Sequence, residues 1–231
     1  MLVTGPMAVP NAAHEESFVA RLSPAEIAAL RARAVARRFE RGATLMHQDE
    51  IPGRVIVLER GHVKITMLAD DGREIVLAFR GPGELLGEVA ALAGEPRCAT
   101  VRALDQVDAL ALTPADFDGL LEDYPRVALV ILRVVIGRLR DADRQQFEHA
   151  AYHTLGRVAR RLIDLAERFG EPADGGTRIA LGISQEELAG WVGASREATI
   201  KALRDLRKLN LIETERRHIT IRKIDELRRI A

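Results

Sequence analysis

The chain has 231 residues, with 47% hydrophobic and 29% charged side chains and 34 basic residues against 34 acidic ones. This is the composition of a soluble globular protein and excludes a disordered or fibrous chain. No stretch approaches the roughly 18 consecutive apolar residues of a membrane span, and the single cysteine, Cys98, excludes an intramolecular disulfide and a four-cysteine zinc or iron–sulfur site within one chain.

The first residues, MLVTGPMAVPNAAHEES, lack a basic start and a long apolar run, so 1–19 reads as a loose tail rather than a signal peptide, and the protein as cytoplasmic. LSPAEIAALRARAV predicts a short helix, with Ser23 as its N-cap and Pro24 at its first position. From about Thr44 to Leu112 the period changes. The runs TLMHQ, VIVLERG, HVKITML, IVLAF, ATVRAL and VDALAL are short, apolar and rich in β-branched residues, with reversals at Gly61 and at Asp71-Gly72. Several strands at this spacing predict a small barrel or jelly roll over 20–122.

Inside it lies GPGELLGEVAALAGEPRCATV, residues 81–101. Gly87-Glu88 leads a short helical run, and the free N–H groups of a helix N-terminus attract phosphate. Arg97 follows ten residues after Gly87, and a guanidinium fork matches paired phosphate oxygens. Glu88 can accept from a sugar hydroxyl. Phosphate, sugar and an apolar wall together suggest a cyclic-nucleotide pocket.

A long helix is predicted over 123–152. Ile131, Val135, Leu139 and Ala142 recur in steps of four, four and three, and the stripe continues through Gln146 to Ala150. A helix of about 28 residues is roughly 42 Å long, more than a small barrel needs, so the stripe predicts a parallel two-helix seam between two copies. Packing on its own barrel alone is the alternative. Near His153-Thr154 and Gly156 the pattern breaks, and LGRVARRLIDLAERFG opens a new helical unit at the head of 153–231. EPADGG reads as a loop.

The last segment is the more specific. Ser184 with Glu187 three residues on forms a capping box, Leu188, Ala189 and Val192 give one apolar face, and Gly193 ends the helix in a left-handed conformation. Ser195 caps a second helix. At 100° per residue Thr199, Ala202, Leu203 and Leu206 face inward, while Arg196, Glu197, Ile200, Lys201 and Arg204 face out. Arginine can pair with guanine, glutamate with cytosine N4, and isoleucine can touch a thymine methyl, so this face suits a major groove. In the following LIETERRHITI, Arg216, Arg217 and His218 sit at a bend that predicts a wing against phosphates. From Tyr152 onward there are 16 basic and 12 acidic residues, a small excess in keeping with a nucleic-acid partner for this part.

A jelly roll carrying G-E-x-A-x-L…P-R-x-A, then a long helix, then G-x-S-R-E in a winged helix-turn-helix, resembles the Crp–Fnr family of transcription regulators from about residue 20 to the end. The resemblance implies an α+β fold: an N-terminal jelly roll like cyclic-nucleotide-binding domains, a long dimerisation helix and a C-terminal winged helix-turn-helix. It implies a homodimer that reads a palindromic site in double-stranded DNA with TGTGA-like half-sites, works with RNA polymerase, and changes its DNA affinity when an effector such as cAMP or cGMP fills the barrel. It places Gly87, Glu88, Val89, Arg97, Cys98 and Ala99 in the phosphate–ribose cassette, with Ala142 and Asp143 where cAMP-binding members offer Thr-Ser hydroxyls to adenine. Cys98 stands where a serine or threonine contacts the cyclic phosphate, and a thiol is the weaker donor. Ser184, Ser195, Arg196, Glu197, Ile200, Lys201, Arg204, Arg216 and Arg217 fall on the DNA side, with Lys201 where an arginine is usual. No N-terminal cysteine cluster marks the iron–sulfur branch.

Two other sensors and one other function are weighed against this. His149 and His153 lie four apart, a metal-binding spacing without an evident third ligand, and Cys98 beside Arg97 could sense redox state. The barrel could also be a degenerate domain in a nucleotide-independent regulator. No Ser-His-Asp or paired-carboxylate spacing supports catalysis.

Overall fold

The computed structural model describes residues 17–70, 72–215 and 217–231, so most of the predicted tail, Asp71 and Arg216 lie outside the described residues. The barrel starts earlier than 20: Phe18 is 1% exposed and belongs to its core, and Val19–Arg21 is a 3-10 turn. Helix α1 (Pro24–Arg33) is capped by Ser23, whose Oγ accepts from the Glu26 N–H while the Glu26 carboxylate accepts from the Ser23 N–H.

Eight strands follow: β1 (Val35–Phe39), β2 (Thr44–Met46), β3 (Val55–Arg60), β4 (Val63–Leu68), β5 (Glu74–Arg80), β6 (Leu85–Leu86), β7 (Thr100–Ala103) and β8 (Val107–Leu112). They form two antiparallel sheets in the orders β1-β8-β3-β6 and β2-β7-β4-β5, the jelly-roll pattern. β1 and β6 are not evident in the sequence. β1 is an edge strand, VARRF, with four of its five residues exposed and hence no alternation to detect, and β6 has two residues. Between β6 and β7 sits the short helix α2 (Glu88–Ala93).

A separate helix α3 (Pro114–Asp123), capped by Thr113, intervenes before the long helix α4 (Pro125–Ala151). α4 has 27 residues, about 40 Å. The predicted stripe is divided: Leu139, Ala142, Gln146 and Ala150 are exposed, but its first two residues are not. Ile131 is 2% exposed and lies with Val127 and Val130 in the barrel core, and Val135 packs against that core. The apolar residues left exposed are Leu129, Leu132, Ile136 and Leu139, in steps of three, four and three, with Phe147 further on. The prediction followed a row of apolar residues without knowing which row the barrel already covers.

Two extended residues, Tyr152 and His153, end α4 and start α5 (Thr154–Phe169). EPADGG is not a loop but most of a hairpin: β9 (Gly170–Ala173) pairs with β10 (Gly176–Ile179). β10 in turn pairs with β12 (His218–Ile221), which pairs with β11 (Ile212–Glu215), so the wing hairpin is anchored in a four-stranded sheet. The sheet packs against α5 and α7 (Arg196–Lys208), α6 (Gln185–Val192) lies against those two helices and β5 of the barrel, and α8 (Ile224–Ile230) closes the chain against α5. This C-terminal core includes two barrel side chains, Val76 and Phe79 of β5. Phe79 meets the Trp191 ring edge-on at 5.1 Å between centroids, a favoured aromatic geometry. No helix of the described residues is long and apolar enough to cross a membrane.

Candidate functional site

The cassette is built around one glycine. Gly87 caps α2 with φ +82, and a Cβ there would collide with Arg97 Nη1 and with the Met46 side chain. Arg97, 4% exposed, donates from Nη1 to the Gly87 carbonyl at 2.8 Å and from Nη2 to the Arg54 carbonyl. Its guanidinium thus ties the start of α2 to the loop before β3, and burial lowers its pKa. Glu88, 1% exposed, accepts a 2.5 Å bond from Arg138 Nη1 on α4. Ala99 is buried, whereas Val89 and Cys98 are exposed. Ala142 and Asp143 lie exposed on α4, one turn past Arg138, and it is Arg138 rather than either of them that bonds to the cassette. Sequence reading missed Arg138, since nothing local pairs it with a glutamate 50 positions earlier.

The second site is the helix pair α6–α7. The Glu187 N–H donates to Ser184 Oγ at 3.1 Å and the Ser184 N–H donates to Glu187 Oε2 at 2.7 Å, which closes the predicted capping box. Gly193 turns the chain with φ +65, and a Cβ there would stand 2.7 Å from His149 Nε2. Ser195 Oγ then accepts from the Ala198 N–H at 3.1 Å. Thr199, Ala202, Leu203 and Leu206 are buried. Arg196, Glu197, Lys201 and Arg204 are exposed along the opposite face, with Ile200 half-buried among them. Arg217, exposed and at φ +64, marks the tip of the β11–β12 hairpin beside the undescribed Arg216. A hydrogen bond of 3.2 Å from Arg207 to Thr214 ties α7 to that hairpin. The arrangement is a helix buried on one face and charged on the other, beside a hairpin with Arg217 at its tip, in keeping with helices that enter a major groove.

Residues 36–124 match the cyclic nucleotide-binding domain, and residues 156–230 match the Crp-like helix-turn-helix domain. The chain is 33% identical over 210 residues to a CRP-like cAMP-activated global transcriptional regulator of Mycobacterium tuberculosis, covering 91% of this chain and 94% of the relative. The chain belongs to the Crp–Fnr family of transcription regulators. Among solved structures it resembles the c-di-GMP-responsive global regulator CLP of Xanthomonas campestris, with TM-score 0.75, 26% identity and coverage of 86% of this chain and 99% of that one. It also resembles a CRP-family transcriptional regulator of Thermus thermophilus, with TM-score 0.73, 28% identity and coverage of 84% and 96%.

In this Crp–Fnr regulator the two sites are joined by ion pairs. Glu84, just before β6, holds Arg138 of α4 at 3.2 Å and Arg168 of α5 at 2.9 Å, with Arg80 of β5 at 3.3 Å. Burial raises the Glu84 pKa, but the three guanidiniums outweigh it and hold the carboxyl below the usual carboxylate range. On β4, the strand paired with β5, Lys64 bridges Glu74 at 2.7 Å and Glu187, the capping-box glutamate of the helix-turn-helix, at 3.1 Å. At the α4–α5 junction, Arg157 donates to the His149 and Gly193 carbonyls at 3.1 and 3.3 Å, and Arg161, 1% exposed, pairs with buried Glu148 at 2.8 Å. His149 Nε2 lies 3.1 Å from the Val192 carbonyl, so one half of the His149–His153 pair already has a backbone partner.

Proposed function

We propose that this Crp–Fnr regulator acts in the cytoplasm as a homodimer that reads a palindromic DNA site through its two α7 helices, under the control of a phosphate-bearing effector in the barrel cassette. The observation that carries the proposal is the division of α7. Thr199, Ala202, Leu203 and Leu206 are buried, while Arg196, Glu197, Lys201 and Arg204 project to solvent in the register that reaches base edges. Ser184 and Ser195 cap the two helices so that their N-termini face phosphates, and Arg216 and Arg217 supply the wing. The exposed Leu129–Leu132–Ile136–Leu139 row supports the seam between the two copies, which sets half-sites one helical turn apart. TGTGA-like half-sites and contact with RNA polymerase complete the reading.

For the effector, Gly87, Glu88, Val89, Arg97, Cys98 and Ala99 form the phosphate–ribose cassette, and Ala142 and Asp143 approach the base. The cAMP-activated relative favours a cyclic nucleotide, either cAMP or cGMP. Arg138 connects ligand to helix: its bond to Glu88 makes the cassette and α4 one hydrogen-bonded unit.

A second reading, a regulator that binds DNA without a nucleotide, draws on a specific observation. The Arg97 fork already holds two carbonyls, Cys98 offers a thiol where a hydroxyl is usual, and Ala142 offers no donor. Redox sensing through Cys98 rests only on its exposure beside Arg97.

The test is a titration of full-length protein on a duplex bearing a TGTGA-type palindrome, at fixed salt, with and without cAMP or cGMP. Tighter binding with either nucleotide supports the cassette as a sensor. Specific binding indifferent to both supports the nucleotide-independent reading, and affinity equal to that for scrambled duplex overturns the assignment of α7.

A further inference from the structure

The end of the long helix touches the turn of the helix-turn-helix. α4 stops at Ala151 and α6 at Val192, and the last carbonyls of a helix have no partner within it. Two side chains at the α4–α5 junction serve both ends. His149, in the last turn of α4, has Nε2 3.1 Å from the Val192 carbonyl. A carbonyl only accepts, so Nε2 carries the proton and donates. Arg157 of α5 donates from Nη1 to the His149 carbonyl at 3.1 Å and from Nη2 to the Gly193 carbonyl at 3.3 Å. A cation at a helix C-terminus also opposes the negative end of the helix dipole.

Gly193 makes this approach possible. A Cβ there would lie 2.7, 3.2 and 3.3 Å from His149 Nε2, Cε1 and Cδ2. A larger residue would therefore push the imidazole off the carbonyl, or the turn off α4. The fit is shared between a glycine of the reading head and a histidine of the long helix.

α4 makes a second contact on the same side. Arg138, which holds Glu88 of the cassette at 2.5 Å, precedes His149 by eleven residues. Eleven residues are three helical turns to within about 20°, and about 16 Å along the axis. One face of one helix meets the cassette at one point and the reading head at the other.

We propose that His149 is a positioning residue for DNA reading. Its bond to Val192, with the Arg157 bonds beside it, fixes the angle of α7 to α4 and hence the separation of the two reading heads in the dimer. The inference rests on the reading of α7 as the groove-entering helix and of α4 as the seam. His149 acts through Val192 and Gly193 rather than on a base or a phosphate.

The test uses full-length protein and the TGTGA-type palindrome with its spacer unchanged, one base pair shorter and one base pair longer, beside a scrambled duplex. The parent is expected to bind one spacing best, since half-site separation is set by the geometry of the dimer. His149→Ala, at an exposed position, is expected to keep the parent's unfolding midpoint and to lose about fivefold of that preference, the scale of one hydrogen bond. His149→Gln, whose amide N–H reaches the place of Nε2, is expected to restore it. An unchanged spacing preference in His149→Ala overturns the proposal. So does a lower midpoint with equal weakening on all three palindromes and no rescue by glutamine, the mark of a structural role alone. A parent that does not distinguish palindrome from scrambled duplex overturns the reading of α7, and the proposal with it.

Discussion

Gly193 and Arg196 sit three residues apart, and substitutions at each are expected to fail differently. At Gly193 the backbone is left-handed and His149 Nε2 stands where a Cβ would go. Gly193→Ala is therefore expected to cost about 1–2 kcal/mol of stability, read as a lower denaturant midpoint. Arg196 is exposed, and its side chain makes no ion pair or hydrogen bond among the described residues. Arg196→Ala is expected to leave the midpoint unchanged, weaken specific DNA binding by about 1–3 kcal/mol per half-site and relax base preference there; unchanged specificity in a binding-site selection would contradict the role given to it. Both residues were legible in the sequence because caps, glycine turns and helical faces depend on neighbours within four positions. Arg138 was not, since its importance comes from Glu84 and Glu88 on another element.

At the scale of elements, α4 shows how far a periodic pattern carries. The length and existence of the helix followed from its sequence, but not that the barrel covers Ile131 and Val135 of the stripe while leaving Leu139 exposed. Ile131 belongs to the barrel core, so Ile131→Ala is expected to destabilise the protein by about 2–5 kcal/mol, measured by chemical unfolding. Leu132 and Leu139 are exposed. Replacing both by lysine is expected to leave the fold intact and shift sedimentation from dimer to monomer. If the double variant sediments like the parent, the seam lies elsewhere. The β9–β10 hairpin has a similar lesson. EPADGG reads as a loop by its proline and glycines, and becomes sheet because β12, some 40 residues later, supplies a pairing edge to β10.

For the whole molecule, the docking of the DNA-binding domain on the barrel is electrostatic as well as apolar. Glu84 and Glu187 each join the two parts, and each carboxyl has a depressed pKa. For Glu187, burial acts upward, but bonds from Ser184 and Lys64 outweigh it. A depressed carboxyl stabilises the folded state above its unfolded pKa, about 4.3 for glutamate, and that contribution is lost as pH falls through the lower folded value. Melting curves of the parent and Glu84→Gln are therefore expected to differ at pH 7 and converge as pH drops below about 4. A constant difference at all pH values would mean that Glu84 stabilises the junction without its charge.

What the sequence determined by itself was everything governed by short spacing. Ser184 and Ser195 cap helices wherever those helices go, Thr199–Leu206 and Arg196–Arg204 divide α7 by its own period, and Gly87 with Arg97 marks a cassette by motif. Tertiary structure decided which surfaces meet. It placed Phe79 of the barrel on Trp191 of the DNA-binding domain, gathered arginines from three elements around Glu84, and turned Leu132 rather than Ile131 to solvent. The physical reason is that burial and ion pairing between distant segments depend on relative orientation, and no local pattern of side chains specifies it.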